Sequence, residues 1–131
     1  MMQDEAVAHW QQRAKAEWKV AKNLFEMQDR DVYAEVLFHC HLALELALKA
    51  RYISQEDEAA PFTHSLSDIA SYLKDAWLEN EQDAFDQLSE YAILARYGDN
   101  KWFAENATRQ NAAVWLEKTR QLLSKISHEK N

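Results

Sequence analysis

His41, Glu45 and Lys49 stand four residues apart in a stretch otherwise rich in leucine and alanine, so on a helix all three project from one line, which Tyr52 continues. A carboxylate one turn from an imidazole and one turn from an ammonium allows several chemistries. His41 and Glu45 could share a metal ion, but a carboxylate metal site in a helical bundle needs matching Glu-x-x-His elements on other helices, and the sequence has none. His39 and His41, two apart, point about 200° from each other on a helix and cannot share an ion. No metal is expected, and a hydrogen-bonded core histidine is the plainer role of His41. Glu45 and Lys49 have the orientation that favours an ion pair. That pair either fixes helix register or a subunit interface, or leaves Lys49 as a phosphate ligand in a groove.

Two further sets carry charge near helix ends. His64 precedes a helix start, where free backbone donors and the dipole favour an anion, but to cap or brace the loop is its plainer role. Arg96, Tyr97 and Asp99 flank the chain's lone glycine, Gly98. An arginine there either complements the negative helix end or anchors a phosphate beside Tyr97, Trp102 and Phe103, since cation plus aromatic is a common means of holding single-stranded nucleic acid. No Ser/His/Asp set, glycine-rich phosphate loop or paired-carboxylate spacing is present, and no cofactor is implied.

The elements that position these groups read as helices. One glycine and one proline in 131 residues leave few turn-formers for hairpins, and 47% hydrophobic residues suffice for one domain spanning residues 1–131. Val7, Trp10, Ala14, Trp18, Ala21 and Phe25 form one apolar stripe on a helix from about Asp4, its expected cap, to Gln28. The polar run Gln28 to Asp31 ends it and caps the next, which runs antiparallel from about Val32 to Ile53 and is apolar almost all round, as a central buried helix must be. An acidic loop, Gln55 to Glu58, follows. Thr63 or Ser65 caps a short helix with Leu66, Ile69, Ala70, Leu73 and Trp77 on its inner face. Glu79 to Asp83 reads as a connector. A fourth helix presents Ala84, Leu88, Tyr91 and Ala95 and stops at Gly98 through a left-handed glycine. The last runs from about Ala104 to Ile126, with a frayed tail at His128 to Asn131. The expectation is an all-α, up-down helical bundle of four long helices plus one short helix.

Charge and cysteine content narrow the partners. Fifteen basic against 22 acidic residues give a net charge of −7, so no global positive field holds a nucleic-acid backbone and any RNA contact must be local. Cys40, the single cysteine, excludes an intrachain disulfide and reads as a small buried hydrophobe. The first residues are acidic without an apolar signal core, and no run of 18 apolar residues occurs, so no membrane partner and a cytoplasmic location are expected.

Three stretches then carry a resemblance. Phe38-His39-Cys40-His41-Leu42-Ala43-Leu44-Glu45-Leu46-Ala47-Leu48-Lys49-Ala50 is similar to the second-helix signature of HEPN domains, typically Gln-Ala-Ala-Glu-x-Ala-Leu-Lys-Ala. Thr63-His64-Ser65-Leu66 resembles their Thr-His-x-Leu step, and Ala95-Arg96-Tyr97-Gly98-Asp99 their Ala-Arg-Tyr-Pro-Asp turn, with glycine in place of proline. Order and spacing agree along nearly the whole chain. The resemblance implies a bundle that commonly forms a homodimer, in a family that includes RNA-cleaving toxins, partners of small nucleotidyltransferases and domains without known activity. Its ribonucleases carry an arginine, four to six residues, then a histidine, and this sequence departs from that. The permitted positions hold Lys101, Trp102 and Phe103 after Arg96, Val114, Trp115 and Leu116 after Arg109, and Lys125, Ile126 and Ser127 after Arg120; His128 lies one residue too far. Metal-free RNA cleavage needs proton carriers, and arginine is a poor one. The resemblance thus implies a nucleotide- or RNA-binding interaction module with a groove near Glu45, Lys49, His64, Arg96, Tyr97 and Asp99. The alternatives are a metal-independent endoribonuclease using Arg96 with a displaced histidine such as His64, and a structural partner of a nucleotidyltransferase.

Overall fold

The computed structural model describes residues 2–128, with no strand among them. The expectation for the tail, His128 to Asn131, lies outside the described residues apart from the backbone of His128. Six helices follow in order: α1 Met2–Glu26, α2 Tyr33–Glu56, α3 Leu66–Ser71, α4 Glu79–Tyr97, α5 Asn100–Asn106 and α6 Arg109–His128, with a 3-10 turn at Arg30–Val32 before α2. None of the helices is long and apolar enough to cross a membrane.

Cross-links between the long helices fix their directions. Gln3 donates to the Ile53 carbonyl at 2.9 Å, Glu17 meets His39, and the Phe25 and Tyr33 rings lie 6.1 Å apart, so α1 and α2 run antiparallel. Lys125 bonds Glu81 at 2.7 Å while Tyr91 packs edge-on to Trp115 at 5.7 Å, which makes α4 and α6 antiparallel as well. The core forms where the four long helices meet on α2: Val36, Leu37, Cys40, Leu44 and Leu48 are fully enclosed, against Ala21, Phe85, Leu88 and Ala112 of the other three. Burial pushes the Cys40 thiol up to about 12, only partly offset by the Thr119 hydroxyl beside it.

Several expected boundaries move, each for a local reason. Asp4 lies inside α1, in its first turn, where a carboxylate favours the helix dipole without capping it. Gln55 and Glu56 belong to α2, which closes on Asp57 in the left-handed region (φ 54°). Gln55 is held by Asp75 and by the Lys74 amide. The expected connector Glu79–Asp83 is the first turn of α4: the Glu81 carboxylate reaches back to accept from the Leu78 amide at 2.8 Å. Helix α3 is only six residues long, and Trp77 lies beyond it, donating from its indole to the Ala70 carbonyl while its ring packs on Phe85.

The expected last helix is two, giving four long and two short helices. Thr108 accepts from the Asn111 amide and Asn111 donates to the Asn106 carbonyl, so side chains replace the helical bonds at the break. Gly98 is not left-handed; its φ is −69°. Glycine is needed there because a Cβ would sit 2.5 Å from the Leu94 carbonyl oxygen and 3.2 Å from the Trp102 ring.

Candidate functional site

The central polar line of α2 is buried: His41, Glu45 and Lys49 are 4%, 5% and 7% exposed. Burying an ionised carboxylate requires partners, and Glu45 has two on one oxygen. Its Oε2 accepts from Lys49 Nζ at 3.0 Å and from His64 Nδ1 at 2.9 Å. The Trp10 ring of α1 lies 5.8 Å from the same ammonium. His64 is therefore oriented by its Nδ1–H, which leaves Nε2 toward solvent on a side chain that is 86% exposed.

The loop that carries His64 is built by its own sequence. Thr63 Oγ1 accepts from the Ser65 amide, Ser65 Oγ caps α3 by accepting from the Asp68 amide, and Leu66 plugs the core while its amide donates to Ser89 of α4. The His64 carbonyl accepts from His41 Nε2 at 2.8 Å, which fixes the His41 tautomer with its hydrogen on Nε2. His41 Nδ1 is then a bare acceptor 3.7 Å from Glu45 Oε1, and neither atom has a partner among the described residues. Burial, the leading cause, pulls the His41 pKa below its ordinary value despite the His64 carbonyl and the nearby Glu45 charge.

Arg96 belongs to a second cluster on the same face of α2. Its guanidinium stacks 3.7 Å from the centre of the Phe38 ring and donates through Nη1 to Glu35 at 2.9 Å. The other Glu35 oxygen lies 3.7 Å from His39 Nε2, and His39 Nδ1 meets Glu17 of α1 at 2.6 Å. Phe38 and Glu45 are seven residues apart, two helical turns or about 10 Å, so the two clusters are neighbours along one line. Arg96 keeps 41% of its side chain exposed. Tyr97 beside it is 85% exposed and Ile93, one turn earlier, 61%.

The structure thus gathers Glu45, Lys49 and His64, whereas Arg96 belongs to the separate Phe38–Glu35 cluster about two turns away along α2 and Tyr97 stands exposed at the end of α4. Asp99 is used differently, for its carboxylate caps α5 by accepting from the Trp102 amide at 2.9 Å. Sequence reasoning missed Glu17, Glu35, Phe38 and Trp10. The one signal for Glu35 was its i, i+4 spacing to His39; the contacts with α1 and α4 are long-range. No group of three or more His, Cys, Asp or Glu is placed to hold a metal ion among the described residues.

A sequence model described as the HEPN domain matches residues 7–129. The chain belongs to the HEPN domain family. A similar solved structure is the crystal structure of TT1696 from Thermus thermophilus, which shares 21% identity over 92% of this chain and 95% of that one, with a TM-score of 0.78. At that identity the likeness is one of fold. The comparison with curated proteins gave no match. Within the HEPN fold seen here, the three stretches of sequence resemblance supply the buried polar line of α2, the His64 loop and the Arg96 turn.

Proposed function

We propose that this HEPN protein is a binding module for a nucleotide or an RNA end, seated where Arg96, Tyr97 and His64 face solvent over α2. The observation that carries this reading is the Arg96 guanidinium, stacked on Phe38 and held by Glu35, with a half-open face beside an unpacked tyrosine. A guanidinium fixed in plane offers bidentate donors to phosphate, and an exposed aromatic ring beside it offers a surface for a base. Glu45 and Lys49, both buried, serve by orienting His64 rather than by touching the ligand, and Asp99 serves by starting α5.

A binder is favoured over an endoribonuclease because the positions four to six intervening residues beyond Arg96 hold Lys101, Trp102 and Phe103 in place of the histidine that the family's ribonucleases carry. His39, linked to Arg96 through Glu35, meets a second carboxylate, Glu17, and its side chain is 21% exposed. A second copy of the chain, in a cytoplasmic setting, is the partner this reading assigns to the exposed apolar residues Phe62, Ile93 and Tyr97. Fluorescence anisotropy with a panel of labelled nucleotides and short RNAs tests the site. Saturable binding that weakens about tenfold in Arg96→Ala is expected, the loss of one charge-assisted contact. No saturable binding, or binding unchanged in Arg96→Ala, removes the site. RNA cleavage in EDTA that is lost in both Arg96→Ala and His64→Ala would establish the nuclease instead. A chain that stays monomeric and captures a nucleotidyltransferase without binding any nucleotide would establish the structural partner.

A further inference from the structure

The buried charges of α2 hold an exposed side chain in place, which is a costly arrangement for a loop to require. Glu45 and Lys49 are 5% and 7% exposed, and such groups leave water only at a large desolvation cost. Yet one of the two hydrogen bonds on Glu45 Oε2 goes to His64, whose side chain is 86% exposed. The loop is already anchored without that bond. His41 holds the His64 carbonyl, Leu66 is fully enclosed, and the amides of Ser65, Leu66 and Asp68 are each taken by a side chain. What Glu45 adds is a fixed ring, with the hydrogen on Nδ1 and a bare lone pair on Nε2 toward solvent.

No other histidine whose side chain is described combines these features. His41 is buried, and the two nitrogens of His39 lie 2.6 Å from Glu17 and 3.7 Å from Glu35. His9 of α1 is exposed but has no carboxylate partner among the described residues. The surroundings of His64 Nε2 then select the electrophile it can take. A metal ion needs further ligands, and no group of three His, Cys, Asp or Glu is placed to supply them among the described residues. Acyl transfer needs a pair of donors for the oxyanion. With the amides of Thr63, Ser65, Leu66 and Asp68 already bonded, the loop has no two adjacent free N–H groups. Phosphoryl transfer asks less of its site, for its loose transition state gains chiefly from positioning and from charge placed to match. As Nε2 bonds to phosphorus the ring turns cationic, and the Glu45 carboxylate, 2.9 Å from Nδ1, faces that charge.

We propose that His64 is a phosphoryl acceptor, taking the group on Nε2 from a donor of the phosphoramidate or acyl phosphate class, with Glu45 as its positioning residue. The Nε2 lone pair forms the N–P bond while the donor's bond from phosphorus to its leaving group breaks. That electron pair departs with the leaving group, and Nδ1 keeps its hydrogen. The inference stands apart from the nucleotide reading, since it uses neither Arg96 nor Tyr97. Incubation of the full chain with potassium phosphoramidate at about pH 8, where an ordinary imidazole is neutral, tests it. Peptide mass spectrometry reads the rate at each histidine, phosphorus NMR reads the ring nitrogen modified, and exposed His9 is the internal control. His64 is expected to be labelled on Nε2 about tenfold or more faster than His9, the scale of one charge-assisted hydrogen bond strengthened in the transition state. In Glu45→Gln the amide can still accept from Nδ1 but brings no charge, and the two rates become equal. They also become equal when the unsubstituted chain is unfolded in urea, a measurement that needs no variant to fold. Equal rates at His64 and His9 in the folded chain overturn the proposal. So does a rate ratio unchanged in folded Glu45→Gln or in urea, or phosphate found on Nδ1.

Discussion

Replacing Glu45 with glutamine isolates the electrostatics of the buried line. The amide keeps the shape and one acceptor, but it leaves the Lys49 ammonium, 7% exposed and 3.0 Å from the former carboxylate, without a counter-charge. Breaking a buried ion pair by removing one partner costs about 3–5 kcal/mol. Against a whole-domain stability of about 5–15 kcal/mol this is a large fraction. At roughly 4 °C per kcal/mol for a chain of this size, the melting point falls by about 12–20 °C. Urea unfolding followed by helical circular dichroism, at fixed protein concentration, measures the deficit. The double replacement Glu45→Leu with Lys49→Met removes both charges and recovers most of it. A loss below about 1 kcal/mol, or a double variant no more stable than the single, refutes the reasoning, since the pair would then be solvated like a surface bridge.

Three other perturbations have definite outcomes. His41 has a folded pKa below its ordinary 6.5, so the unfolded state takes up a proton that the folded state refuses; stability is full above that value and declines as pH falls through it, and His41→Gln flattens this acid limb of a urea-midpoint-against-pH curve. Asp99→Ala loses the α5 cap and about 1 kcal/mol of stability while leaving nucleotide affinity unchanged, which chemical denaturation and anisotropy read separately. Gly98→Ala forces a methyl group against the Leu94 carbonyl and lowers stability by about 1–3 kcal/mol, measured by the same denaturation; a neutral result would mean the α4–α5 junction yields freely.

What was legible in the chain was the part governed by spacing. The stripe Val7 to Phe25 gave α1, and the nearly continuous apolar surface from Val36 to Ile53 gave the central helix with Glu45 and Lys49 paired on it. Helix ends fared worse because each depends on a particular side-chain bond. Glu81 turns an apparent linker into a first turn, and the Thr108–Asn111 bond splits a helix whose apolar period never falters. The site was half legible for the same reason. Glu45 with Lys49 is local to one helix, whereas the Arg96–Glu35 contact spans 61 residues and follows only once α4 is laid antiparallel to α2.

That contact has a bearing on selectivity. Glu35 engages Arg96 through Nη1 alone, and Nε and Nη2 make no hydrogen bond among the described residues. On the proposed reading, an incoming anion meets a guanidinium with one nitrogen already countered by a carboxylate of the protein and its other edge open. A monoanion adds little to so neutralised a cation, whereas a phosphate dianion brings more charge and two acceptors for the free edge of the fork. The carboxylate built into the site would thus favour phosphate over chloride and simple carboxylates.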